Sequence, residues 1–378
     1  MKKSILIVAG ETSGDNLASA IIEEWRKLES DRIDFWGFGG QKMQKAGVHI
    51  IRSTEDLAVV GLWEGLVNYR RLSSYLESLV GEAKKRKIEG AILIDYPGFN
   101  LKLAQHLYSL NIPVYLVVSP QIWAWHYSRV KKIRKYIATV FCLYQFETEI
   151  YAKENIQAVF IGHPMVQKIR AFLKSHSAAL KKEKSKADKY KKIALLPGSR
   201  LSEITRHLPF LLEVAALYHR AHPETIFEIP AASEEMAQIL AQSHLPDYIS
   251  VQTENSYRTL ATCDAGIVCS GTATLECALF NMPFLLIYKT SWFTYFLGKR
   301  LIRLPYIGLV NIIANRFITK EFIQSDMKIQ PVLAELEKLA CDSRYIKEMK
   351  SAFQEVQKSV ESENSAKVCA TLLSRIFS

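Results

Sequence analysis

Short, fully apolar runs rich in β-branched residues alternate with amphipathic stretches along the whole 378-residue chain. In the first half the runs Ser4–Val8, Ala91–Ile94, Val114–Val118, Val140–Leu143 and Ala158–Ile161 predict strands. In the second half Ile193–Leu196, Ile226–Ile229, Ile249–Gln252, Gly266–Val268 and Phe284–Ile287 do the same. Apolar strands separated by helical segments predict parallel sheets covered on both faces. The stretch Lys174 to Lys192 is lysine-rich and free of glycine, and reads as a polar connection between two doubly wound halves. Pro331–Phe377, with alternating charged and apolar positions, reads as helical. Doubly wound sheets place ligands at the carboxyl ends of their strands, so a cleft between the halves is the expected site.

Chemistry-bearing residues cluster in the turns after these strands. In CSGTATLEC a strand leads into Ser270, Gly271 and Thr272 and then a helix carrying Glu276. Unpaired amides at a helix start, with the helix dipole behind them, can hold a phosphate. Glu276, one turn on, faces the same way and can take a ribose hydroxyl. The pattern suits a nucleoside diphosphate, and equally an ordinary strand-to-helix turn. AGETSGD follows the first strand; Gly10 and Gly14 allow close backbone approach beside Glu11, Ser13 and Asp15, or the segment is a tight turn capped by Ser13 or Asp15. In LIDYPGFN a strand ends on Asp95, a costly place for a charge unless it is used or paired. Asp95 reads as a general base or as a helix cap. SPQIWAWHY brings tryptophans and His126 to a strand end, where His126 can polarise a phosphate or hydrogen-bond backbone. LLPGSRLSEI places Arg200 where its guanidinium can fork onto a diphosphate.

Composition narrows the class. An apolar share of 49% and a charged share of 23% are those of a globular protein with a substantial core. The six cysteines form no C-x-x-C pair and read as buried thiols in a reducing compartment. The amino-terminal apolar run is shorter than a secretion signal needs, and no segment reaches the roughly 18 apolar residues of a membrane span. The expectation is a cytoplasmic protein. A net charge of +11 calls for an anionic partner, and no nucleic-acid motif is present. Lys289, Lys299, Arg300 and Arg303 interleave with Trp292, Phe293, Tyr295, Phe296 and Tyr306, a mixture suited to lipid headgroups or to a solvated helix with one buried face. Asp-x-Asp, the P-loop, H-E-x-x-H and G-x-S-x-G are all absent. Cationic groups such as Arg200 and Arg316, with helix N-termini, would then stabilise a leaving diphosphate.

Taken together, VAGETSGD (8–15), GGQKMQKAG (39–47), DLAVVGLWE (56–64), IDYPGFN (94–100), SPQIWAW (119–125), FIGHPM (160–165), LLPGSR (195–200), SGTATLEC (270–277) and VNIIANR (310–316) resemble the lipid-A-disaccharide synthases. The resemblance implies a GT-B fold: two Rossmann-like doubly wound domains facing across a cleft. It suggests an acceptor domain over 1–180, a UDP-sugar domain over 190–345 and a helical tail over 346–378 that packs on the first domain or on a dimer partner. It implies inverting, metal-independent transfer of 2,3-diacylglucosamine from its UDP carrier to 2,3-diacylglucosamine 1-phosphate, giving a β-1,6 disaccharide 1-phosphate and UDP, with no cofactor. Asp95 becomes the base. Arg200, Ser270, Gly271, Thr272, Glu276, Asn311 and Arg316 would bind UDP, while Glu11, Ser13 and Asn100 would shape the acceptor side. Gly98 stands where the family often has an acidic residue. Acylated substrates suit peripheral attachment to the inner membrane face through Trp63, Leu66, Trp292, Phe293, Phe296 and Arg300, against the alternative of core or dimer packing. A homodimer through the C-terminal region also fits. Other UDP-sugar GT-B enzymes (a murein-type N-acetylglucosaminyltransferase, a UDP-sugar epimerase) and a silent UDP-lipid-binding protein are the alternatives.

Overall fold

The computed structural model describes residues 2–29, 32–54, 66–124, 126–186, 191–231, 233–253, 255–291 and 305–378. The chain forms two compact units, one of Met1–Pro164 with Val360–Ser378, the other of Met165–Ser359.

The first unit holds seven strands: β1 (Lys3–Ala9), β2 (Ile33–Gly39), β3 (His49–Ser53), β4 (Gly90–Ile94), β5 (Val114–Val117), β6 (Thr139–Cys142) and β7 (Ala158–Phe160). They form one sheet in the order β3-β2-β1-β4-β5-β6-β7, and every pairing is parallel. Ile5 through Ala9 and Ala91 through Ile94 are fully buried, as strands sandwiched between helices must be. The covering helices are α1 (Thr12–Leu28), α2 (Gln41–Lys45), α3 (Leu66–Arg86), α4 (Pro97–Tyr108), α5 (Arg129–Tyr136) and α6 (Gln145–Lys153). Strand order reverses between β1 and β4, and that switch point is where an open parallel sheet presents its crevice.

The second unit repeats the plan. Helices α7 (Pro164–Ser175) and α8 (Ser177–Lys186) lead into β8 (Lys192–Leu196), α9 (Leu201–Ala221), β9 (Ile226–Pro230), α10 (Glu234–Ala241), β10 (Ile249–Gln252), α11 (Ser256–Thr262), β11 (Ala265–Cys269), α12 (Ala273–Leu279), β12 (Phe284–Tyr288), α13 (Leu309–Ala314) and β13 (Glu321–Ile323). Its sheet runs β10-β9-β8-β11-β12-β13, all parallel, with the reversal between β8 and β11. Both halves are therefore doubly wound.

Three helices close the chain: α14 (Ile329–Cys341), α15 (Ser343–Val360) and α16 (Ser365–Ile376). The last returns to the first unit. It packs along α1, and Phe377 sets its ring 5.8 Å from Trp25 and 5.3 Å from Tyr115. The expected polar connection is corrected in part, because α8 occupies Ser177–Lys186. Leu180 joins Phe172 and Ala261 in a small apolar cluster, and Glu183 pairs with Lys192 at 3.2 Å and with Arg258 at 2.9 Å. Leu180 and Glu183, set among the lysines, help to seat this helix on the domain.

Candidate active site

At the first switch point, β1 and β4 deliver the AGETSGD and IDYPGFN turns side by side, since Ala9 pairs with Ile94. Asp95 and Tyr96 both lie in the left-handed region, at φ 50° and 46°. That conformation costs a non-glycine residue about 1–2 kcal/mol, so surrounding bonds must impose it. The Asn100 amide supplies two of them, donating to Asp95 O at 2.6 Å and Ile94 O at 3.2 Å. The Asp95 N–H donates to Val117 O at 2.9 Å. Burial pushes the Asp95 carboxyl above its ordinary value, against the pull of the Tyr96 N–H that it accepts. A carboxylate with few partners and a raised pKa is suited to take a proton.

Glu11 and Ser13 are exposed at the head of α1, and the Glu11 charge reaches the Tyr96 hydroxyl, which burial first and Glu11 second push upward. Asn100 is fully buried; its amide braces the turn that presents Asp95. Gly98 is exposed, with nothing within 4 Å of where a β-carbon would lie. Asp15 does not cap its own helix. Its carboxylate is buried and accepts the amides of Gly40 at 2.7 Å, Met43 at 3.0 Å and Lys42 at 3.1 Å, so it caps α2 from the neighbouring helix α1.

Beside this, Val118 ends β5 in a left-handed turn at φ 71°, one residue earlier than the apolar run predicts. The SPQIW segment that follows is anchored from below. Trp123 Nε1 donates to Glu147 at 3.0 Å, and Ser119 Oγ meets Tyr151 at 3.0 Å. Glu147 is buried, and burial raises its carboxyl to about 7. His126 is exposed at φ 54°. His163 is buried 5.5 Å from the Tyr144 ring, its N–H donating to Val360 O at the chain's return.

At the second switch point, β8 and β11 deliver the PGSR and SGT turns, again on adjacent strands, with Leu196 opposite Val268. Gly198 has φ 119°, and a β-carbon there would fall 2.5 Å from the Glu203 carboxylate. That carboxylate accepts the amides of Ser199 at 2.9 Å and Arg200 at 3.3 Å, a reciprocal cap that opens α9. Arg200 thus leaves the turn with its side chain 81% exposed, only loosely paired with Glu203 at 3.5 Å. Gly271 and Thr272 are exposed ahead of α12. Glu276 lies one turn on, its carboxyl lifted by burial to about 6 against the Tyr257 hydroxyl and the Lys168 charge. A carboxyl at that position can accept from a sugar hydroxyl.

Asn311 and Arg316 are used differently. Asn311 is fully buried and its amide is spent within the fold: Nδ2 donates to Thr319 O and Glu321, both at 2.8 Å, and Oδ1 accepts Ile318 N at 2.8 Å and Thr319 N at 3.0 Å. Glu321 also accepts Ile307 N and Gly308 N, at 3.0 and 2.9 Å, while Ser270 Oγ donates to Ile307 O at 3.2 Å. Asn311 therefore braces the loop under Ser270. Arg316 points to Glu355 on α15 in an exposed pair. Of the lipid-contact residues, Trp63, Trp292, Phe293, Phe296 and Arg300 lie outside the described residues, as does the side chain of Leu66. Among the described residues no helix is long and apolar enough to cross a membrane.

Two parallel Rossmann-like domains, each with polar turns at its switch point, are the GT-B plan of nucleotide-sugar glycosyltransferases. Two solved structures share it across this chain. MurG of Acinetobacter baumannii superposes with a TM-score of 0.57 at 14% identity over 99% of this chain and 100% of its own. A calicheamicin glycosyltransferase does so with a TM-score of 0.60 at 11% identity over 100% and 99%. At sequence level the match is closer: residues 5–373 fit the family described as lipid-A-disaccharide synthetase. The lipid-A-disaccharide synthase of Coxiella burnetii (strain RSA 331 / Henzerling II) is 37% identical over 343 residues, 91% of this chain and 90% of that one. The chain belongs to the lipid-A-disaccharide synthase family and is a glycosyltransferase.

Proposed function

We propose that this chain transfers 2,3-diacylglucosamine from UDP to the 6-hydroxyl of 2,3-diacylglucosamine 1-phosphate by a single inverting displacement. The observation that carries the reading is Asp95: a carboxylate held in a strained turn at a switch point, its proton affinity raised by burial. Asp95 takes the hydroxyl proton as the acceptor oxygen bonds to the anomeric carbon. The bond from that carbon to the diphosphate breaks, and its electron pair leaves with UDP. In the second unit the Arg200 guanidinium and the Ser270–Thr272 turn receive the diphosphate, and Glu276 takes a ribose hydroxyl. Glu11 and Ser13, beside Asp95, line the acceptor side. Asn100 and Asn311 serve by holding turns.

Both substrates carry acyl chains, so the reading extends to peripheral attachment at the inner membrane face. Leu201 and Phe317 support it, remaining 58% and 66% exposed. A C-terminal homodimer completes the proposal; sedimentation tests it, and flotation with anionic vesicles at low salt tests the attachment. The transfer itself is tested with radiolabelled acceptor and UDP-diacylglucosamine in detergent and EDTA. A disaccharide that forms with the wild type, but not with Asp95→Ala of unchanged UDP affinity, is the expected result. Product from the variant at the wild-type rate would remove Asp95 from the chemistry.

A further inference from the structure

His207 stands on α9 two turns beyond Arg200, fully buried, with both ring nitrogens engaged. Nε2 lies 2.9 Å from the backbone nitrogen of Lys289, the residue after β12. A backbone N–H only donates, so Nε2 must be the acceptor and carries no proton. Nδ1 lies 2.9 Å from Pro197 O, which only accepts, so Nδ1 carries the hydrogen. The two bonds define a neutral imidazole of one tautomer without reference to any titration. They also join two chain segments, the turn after β8 and the exit from β12.

The surroundings reinforce that join. Arg206 Nη1 reaches Lys289 O at 3.5 Å, and the Tyr288 ring lies 6.0 Å from the imidazole. The next residue, Thr290, is clasped through both backbone groups by Gln324, at 3.1 and 3.2 Å. Glu203, which caps the PGSR turn, and Arg206 are the charged groups bearing on the ring; burial first, with the Arg206 charge, holds its proton affinity below the ordinary histidine value against the pull of Glu203.

We propose that His207 is the positioning residue of the donor turn: a single imidazole fixes Pro197 against Lys289 and thereby sets where Ser199 and Arg200 meet the diphosphate. This rests on the reading that the turn receives the donor. Pro197 ends the strand, Gly198 adopts a conformation with no side chain to stiffen it, and Glu203, a carboxylate that can only accept, holds the amides of Ser199 and Arg200 but cannot hold the Pro197 carbonyl. Without His207 the carbonyl that begins the turn loses its anchor, and Arg200 swings with it.

The test compares UDP binding and steady-state transfer by the full-length wild type, His207→Leu, His207→Asn and Arg200→Ala. Leucine fills the space without either bond, whereas the asparagine amide reproduces the Nδ1 donor to Pro197. The expected result is a roughly tenfold weaker UDP affinity and higher donor KM for the leucine variant, with kcat falling far less, and recovery of most of the affinity with asparagine. Wild-type affinity in the leucine variant, or asparagine no better than leucine, overturns the proposal. If Arg200→Ala weakens UDP and His207→Leu does not, only this inference fails; if neither does, the donor-site reading falls with it. Should the leucine variant not fold, the ¹⁵N shifts of the wild-type imidazole decide the matter. A hydrogen on Nδ1 and a bare Nε2 at neutral pH support the join, and the opposite tautomer or a charged ring overturns it.

Discussion

The Tyr96 ring lies directly on the α-carbon of Gly10, so that a β-carbon at position 10 would fall 2.5 Å from Tyr96 Cγ. The two residues end neighbouring strands, one from each side of the first switch point, and the contact fits the ring only because glycine offers no side chain. Tyr96 shares its left-handed turn with Asp95, so displacing the ring pulls on the carboxylate. Gly10→Ala is expected to cost about 1–3 kcal/mol of stability and to lower turnover by more than about tenfold. Thermal melting and kcat measured on the same preparation check this. An alanine variant with wild-type turnover would show that the ring plays no part in holding Asp95.

If Asp95 is the base, its raised proton affinity sets the acid side of the pH profile. A general base works only when ionised, so activity falls as pH drops through the Asp95 pKa. Burial places that midpoint above the ordinary aspartate value, which is about 3.9. Asp95→Asn keeps the left-handed turn, which asparagine tolerates well, and should lose about 10²–10⁴-fold in kcat together with the acid limb. A kcat/KM profile of both proteins checks it; an acid limb that persists in the variant belongs to another group.

Glu276 gives a second pH dependence, in the other unit. Its carboxyl, lifted to about 6 by burial, is held down by the hydroxyl of Tyr257. A carboxylate accepts from a ribose more strongly when ionised, so donor affinity should weaken as pH falls through about 6. Tyr257→Phe keeps the ring against Phe172 and Phe280 but removes the hydroxyl. The carboxyl then rises further, and the loss of affinity should begin at higher pH. UDP titrates on its own account, so the measurement is the variant-to-wild-type ratio of Kd across pH. A flat ratio would detach Glu276 from the nucleotide.

How far these relations can be read from sequence depends on how far apart the partners are. The strands at the centre of each sheet, such as Ile5 to Val8, are apolar without interruption and legible at once. The strand Ile33–Gly39 is not, because Asp34 and two glycines break its run, yet Phe35, Trp36 and Phe38 bury it. Strand Glu321–Ile323 is three residues long, too short to carry a period. The lysine-rich stretch hid a helix because Leu180 and Glu183, which anchor it, are outnumbered by cations. The turns themselves were legible from local chemistry: glycine, hydroxyl and charge at a strand end. What each side chain does there was less so. Asp15 caps a helix 25 residues on, and His207 reaches an amide 82 residues away. The family resemblance offers Asn311 as a nucleotide ligand, whereas the partners that hold its side-chain amide, Thr319 and Glu321, are met only after the chain turns back.

Glu147 provides a stability test independent of catalysis. It is buried under the SPQIW segment, where it accepts from Trp123 and from the Tyr144 amide at 3.3 Å. Burial outweighs those bonds and raises its carboxyl from 4.5 to about 7. The folded state thus binds a proton more readily than the unfolded chain. The protonated form's advantage is complete below about 4.5 and is lost as pH rises through about 7. The loss is on the order of 3 kcal/mol. Glutamine keeps a carbonyl for the Trp123 indole and cannot ionise. Glu147→Gln should therefore match the wild type within about 1 kcal/mol at acid pH and exceed it in slightly alkaline buffer. Urea unfolding on both sides of the transition measures the difference directly. A variant less stable than wild type at alkaline pH would mean that the ionised carboxylate, through Trp123 and Tyr144, holds the segment more strongly than burial opposes it.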